Sequence, residues 1–155
     1  MIAIRSYKAL WDFIACQISE IQKVFLVDDE SELSIKISQV DDRCILLVIV
    51  TPSSDLNAAD EDNYSDIDTC VIYLLMKVDP RNESDDDLMD ERELTQSLMQ
   101  KIRHWMFELE GRCDGSDPAM LMKQIIRGKQ HIDRERNYLG CNGYSLSFGL
   151  KTYGL

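Results

Sequence analysis

Two apolar runs near the middle of this 155-residue chain narrow the folds open to it. Cys44-Ile45-Leu46-Leu47-Val48-Ile49-Val50 stops at Thr51-Pro52. Thr69-Cys70-Val71-Ile72-Tyr73-Leu74-Leu75-Met76-Lys77-Val78 stops at Asp79-Pro80. Both are rich in β-branched residues and apolar at successive positions, the pattern of a central strand with both faces buried. Neither approaches the roughly 20 apolar residues of a membrane-spanning helix, so no membrane partner is expected.

Helical periodicity flanks these runs. Tyr7, Leu10, Trp11, Ile14, Ile18, Ile21 and Phe25 recur at steps of three or four and predict one amphipathic helix from a Ser6 cap to about Phe25. Leu88, Leu94, Leu98, Ile102, Trp105 or Met106, and Leu109 predict a second, long helix capped by Asp85 or Asp86 and stopped at Gly111, with Glu91 breaking the step of its stripe. Between them Leu33, Ile35 and Ile37 alternate with polar residues, as in a short strand. In Arg112–Gln130, Asp117 and Pro118 suit the start of a helix over Ala119–Arg127 ended by Gly128, and a strand over Leu121–Ile126 competes with it.

At the C-terminal end Tyr144, Leu146, Phe148 and Leu150 alternate strictly with Ser145, Ser147, Gly149 and Lys151. Asn142-Gly143 just before them predicts a two-residue hairpin turn, pairing Cys141 with Tyr144 and Leu139 with Leu146, with His131–Cys141 as the incoming strand. The expected fold is α+β, one domain over 1–155. An antiparallel or mixed sheet of two hairpins carries two main helices on one face, in the order helix-strand-strand-helix-strand-strand. The polar segment 53–68 is expected as a mobile acidic loop.

The residues that could carry chemistry do not gather into known patterns. The chain holds no GxGxxG, HExxH or GxSxG. Five cysteines form no CxxC pair, and their odd number suits free thiols in a reducing compartment. Cys141 and His131 sit in no motif that would make them a dyad. Asp60-Glu61-Asp62-Asn63-Tyr64-Ser65-Asp66-Ile67-Asp68 has a trace of calcium-loop spacing. Tyr64 takes a ligand position, Ser65 replaces the turn glycine, and Val71 stands where the closing glutamate belongs. No catalytic residue, metal or cofactor is expected.

Charge is the remaining signal. The net charge of −11 disfavours general binding to nucleic acid. Residues 28–93 hold twenty acids and five bases, whereas residues 94–155 hold nine bases and six acids. One reading is a set of solvated surfaces. The other is a molecule with an acidic and a basic side, suited to head-to-tail contact with its own copies. The interaction candidates are Asp60, Asp62 and Asp66 on the acidic segment, and Lys123, Arg127, Lys129, Arg134 and Arg136 on the basic one.

The run Cys44–Pro52, the strand Cys70–Pro80, the helix Asp86–Leu109 and the ending Tyr138-Leu139-Gly140-Cys141-Asn142-Gly143-Tyr144-Ser145-Leu146-Ser147-Phe148 form a layout similar to that of the tail-terminator and tail-completion proteins of tailed phages. The ending resembles those of small phage or prophage proteins of gut bacteria. The segment Arg112–Gln130 departs from that layout. The resemblance implies a non-enzymatic structural protein that forms a ring homo-oligomer and docks on other tail or head proteins, in the bacterial cytoplasm or the virion. The alternative is a bacterial adaptor that binds one protein partner through a sheet edge or the acidic loop; a small enzyme is the third reading. The N-terminus lacks an apolar signal core, so secretion is not expected.

Overall fold

The computed structural model describes residues 1–60, 63–79 and 81–152, with side chains at 56–60, 63 and 64 left aside. Its elements run α1 Ile4–Cys16, β1 Lys23–Val27, α2 Glu30–Ser38, β2 Ile45–Val50, β3 Ser53–Asp60, β4 Asn63–Lys77, α3 Asp85–Gly111, α4 Asp117–Met122, β5 Ile125–Tyr138 and β6 Cys141–Thr152. Among the described residues they form one six-stranded mixed sheet ordered β1-β2-β4-β6-β5, with β3 paired to β4. The fold is α+β.

The apolar runs are β2 and the second half of β4, antiparallel with Ile45 opposite Met76 and Ile49 opposite Ile72. Their alternate residues face opposite ways. Ile45, Leu47, Ile49, Ile72 and Leu74 pack with Leu10, Trp11 and Ile14 of α1, Leu98, Ile102 and Met106 of α3, and Leu121 and Met122 of α4. Leu46, Val48 and Leu75 pack on the other face with Leu33 and Ile37 of α2. The two main helices therefore share one face, as expected, and a third helix covers part of the reverse.

Several local expectations are corrected. The first helix stops at Cys16, not near Phe25. Ile18 and Ile21 lie in the descending turn, where Ile18 N–H donates to Ala15 and Ile21 N–H to Ile18. Gln22 then exchanges hydrogen bonds with Ile45, and β1 runs parallel to β2. Steps of three and four through the turn imitated a continuing helix. Ser6 does not cap it either; Ala3 precedes the first turn without a side-chain bond.

Leu33, Ile35 and Ile37 lie on α2 rather than on a strand. Asp29 accepts from Glu32 N–H at 2.9 Å, Lys36 pairs with Glu32, and the i,i+4 residues Leu33 and Ile37 are buried while Ile35 points out. Lys77 of β4 donates to the carbonyl of Ile37 in the last turn of α2 and to that of Val40 just past its end. The cap of α3 is Ser84, one residue before the expected pair, in a capping box with Asp87. Ser84 holds the Asp87 carboxyl below the usual carboxylate range.

The segment 53–68, expected as a loop, is instead β3 and the start of β4. Ser53 lies opposite Thr69 and Asn57 opposite Ser65, with 61 and 62 outside the described residues. Pro52 lacks an N–H and separates β2 from β3, so the pairing along one side of β4 passes from one to the other. β6 is described as far as Thr152, opposite Asp66; past that point the described pairing is of β3 with β4 alone, a two-stranded arm.

In Arg112–Gln130 both readings held in part: α4 is helical from Asp117, and β5 begins at Ile125. The N-cap of α4 is Ser116 rather than Asp117. The closing hairpin turns at Leu139-Gly140, not at Asn142-Gly143. Leu139 and Gly140 take the positive φ values of 53° and 78°, and Tyr138 pairs with Cys141. Tyr144 therefore faces Arg134, and Leu146 faces Ile132. Gly143 serves a different need. A Cβ there would lie 1.9 Å from the Leu74 carbonyl oxygen, so only glycine lets β6 approach β4. Gly143→Ala should lower the urea midpoint steeply, whereas Gly128→Ala, with open space around it, should leave it nearly unchanged. Equal effects would contradict this account of β6.

Candidate functional site

The interruption in the α3 stripe marks the most structured polar site. Glu91 is 2% exposed and lies on the buried face of α3 with Thr95 and Leu98. A carboxylate that deep requires a partner. Arg134, which β5 places opposite Tyr144, supplies it: Nη2 donates to Glu91 Oε2 at 2.7 Å and Nη1 to Oε1 at 3.3 Å. Nη1 also reaches Thr95 Oγ1 and the Gly143 carbonyl, both at 3.2 Å, and the guanidinium lies over the Tyr144 ring. A planar fork suits this geometry as a lysine would not. The cluster ties the β5–β6 hairpin to the first half of α3.

Beside it a cleft of about 310 Å³ opens between α3 and the closed end of that hairpin. Val78 and Leu88 give it apolar surface, and Arg92, Arg136, Asn137 and Asn142 add polar groups. Asn142 accepts from Asn137 N–H at 2.8 Å, holding the chain where Asn137 takes a positive φ. The two acids that line the cleft are already compensated. Glu83 receives Arg43 at 3.2 Å, and Glu91 receives Arg134. Among the described residues Arg92 and Arg136 hold no ion pair.

The structure disperses the other interaction candidates. Lys123 is exposed at the end of α4. Arg127 pairs with Glu110 at 2.8 Å. Lys129 lies in a shallow hollow with Ile67 and Thr69, toward the other end of the strands. Arg134 is an internal fastener, and Arg136 lines the cleft, exposed and without an ion pair among the described residues. Asp66 is paired with the Met1 amino group. Asp60 closes β3, its side chain outside the description, and Asp62 lies outside the described residues.

The geometry does not assemble the chemical candidates either. His131 is exposed, 3.0 Å from Asp133, and pairs with Ser147, whereas Cys141 is buried at the far end of the hairpin. Burial pushes the Cys141 thiol up to about 11 and the Cys70 thiol up to about 12, away from thiolate reactivity. Asp66 and Asp68 stand on a strand, and Asp68 is fully buried, accepting from the Thr152 hydroxyl at 2.8 Å. Among the described residues no three His, Cys, Asp or Glu side chains group as metal ligands, and no helix is long and apolar enough to cross a membrane.

Sequence reading passed over Glu91, taking it as a break in the stripe. The available signal was that a carboxylate occupying a buried helical step must meet a cation elsewhere in the chain. No protein-family model matches the chain, and no curated protein matches it. Glu91→Ala strands a largely buried guanidinium and should cost up to about 3 kcal/mol, whereas Glu91→Leu with Arg134→Met should come close to native stability. Denaturant titration of the three chains checks this. A single variant as stable as the double one would refute a buried, coupled pair.

Proposed function

We propose that the chain is a non-enzymatic structural protein of a phage or prophage particle that assembles head-to-tail into a ring and docks at the tail. Its place would be the host cytoplasm or the virion. The layout described above, with its likeness to tail-terminator proteins, supports this reading. The observation that carries it is the β3–β4 arm. Its residues beyond Asp66 pair only with each other among the described residues. Two-stranded ribbons are marginal in water on their own, and open edges invite a further strand or surface.

The arm is also strongly acidic. Residues 52–69 carry six Asp or Glu and no Lys or Arg. A charged ribbon resists indiscriminate edge pairing and favours a partner of opposite charge. The net charge of −11 turns such contacts away from nucleic acid.

The experiment compares the native chain with one in which residues 56–64 are replaced by Asn-Gly, following mass in solution over a protein concentration series. The native chain should form multimers at low salt that dissociate toward 1 M, where the screening length falls to about 3 Å. The shortened chain should remain monomeric with its far-UV spectrum intact. A native chain that stays monomeric at every concentration, yet captures one distinct protein through the arm, would favour the adaptor reading instead.

A further inference from the structure

We propose that the cleft between α3 and the closed end of the β5–β6 hairpin receives the acidic β3–β4 arm of a second copy of the chain. The inference rests on the assembly reading and names its receiving surface. The cleft joins an apolar floor, Val78 and Leu88, to two cations, Arg92 and Arg136, that hold no ion pair among the described residues. Its own acids are paired from behind, Glu91 with Arg134 and Glu83 with Arg43, which Asp87 shares. Within the lining, the charge left without an ion pair among the described residues is positive and lies beside apolar surface, while the acids of the first turn of α3, Asp85, Asp86 and Asp87, are not part of it. That combination fits an extended segment bearing carboxylates, and the arm is one, with Asp55 exposed on β3 and Asp60 at its end.

Position makes the contact intermolecular. Asp66 at the base of the arm and Lys77 beside the cleft stand at opposite ends of the β4–β6 pairing. At the rise of a strand these points are on the order of 35 Å apart. A chain cannot fill its own cleft, and each copy offers one arm and one receptor. The Lys129 hollow is a poorer receiver, because it lies toward the arm's own end of the sheet and offers a single cation.

Two full-length variants test the match. The first, Arg92→Glu with Arg136→Glu, reverses the cleft without touching the Glu91–Arg134 pair. The second, Asp55→Lys with Asp60→Lys, reverses the arm. Each is checked for native circular dichroism and melting temperature; if the reversed cleft misfolds, Arg92→Gln with Arg136→Gln replaces it. Sedimentation then reads self-association. Each variant alone should associate at least about tenfold more weakly than the native chain. Mixed in equal amounts, they should recover association, because the native arm of one meets the native cleft of the other and the Lys-bearing arm meets the Glu-bearing cleft. If the cleft variant assembles like the native chain while the arm variant does not, the cleft is overturned and the assembly reading stands. A mixture that associates no better than either variant alone overturns the match of arm to cleft. A native chain that never associates overturns both.

Discussion

The structure depends on one constraint: β4 must be satisfied on four sides. It runs for fifteen residues, pairs on one edge with β2 and then β3, and pairs on the other with β6. Its second half is apolar on both faces, and each fully buried Leu or Ile contributes roughly 1.5–3 kcal/mol. Cover must therefore come from both sides. α1, α3 and α4 provide it on one face, and α2, with the Lys77 side chain holding its end, on the other. The parallel strand β1 brings α2 there, since a strand returning in the same direction needs a crossover, which packs on a face of the sheet.

How much of this was legible follows from which forces act locally. Continuous apolar runs and the alternation Tyr144–Leu150 report burial directly, so β2, the second half of β4 and β6 could be read. The stop of α1 could not. Ile18, Ile21 and Phe25 keep a helical step while the backbone turns to pair with Ile45, a partner more than twenty residues away. α2 was hidden because alternate apolar residues in so short a segment also fit an i,i+4 pair, and only Asp29 as a cap decides between them. Asn142-Gly143 carried a strong turn signal for another reason: Gly143 is required by the close approach of Leu74, and Asn142 by the Asn137 backbone. The arm was misread because acidity argued against packing, while a ribbon projecting past the sheet has no core to pack into.

The same distinction holds for the site. A sequence cannot tell a free arginine from one committed to an internal pair. Arg134 and Arg136 are two residues apart and lie on one strand, yet the first is locked on Glu91 and the second is open to solvent. Charge totals over halves of the chain pointed toward polarity between two sides. In space the arm's acids stand at one end of β4, while Arg92 and Arg136, without an ion pair among the described residues, line the cleft beyond its other end, beside the acidic first turn of α3. That placement is what a heterologous contact between successive copies requires.

The central claim is that arm and cleft of neighbouring copies meet, and an intermolecular cross-link measures it most directly. Exposed Cys16 and Cys113 are replaced by Ser. One chain then receives Asn57→Cys on β3, and a second, differently tagged chain receives Met89→Cys on the exposed side of α3 near Leu88. Oxidised together at low salt, the two chains should form a mixed disulfide-linked dimer in preference to either like pair, and 1 M salt should abolish it. Like pairs in equal or greater yield, or no link between multimers that do form, would contradict the account.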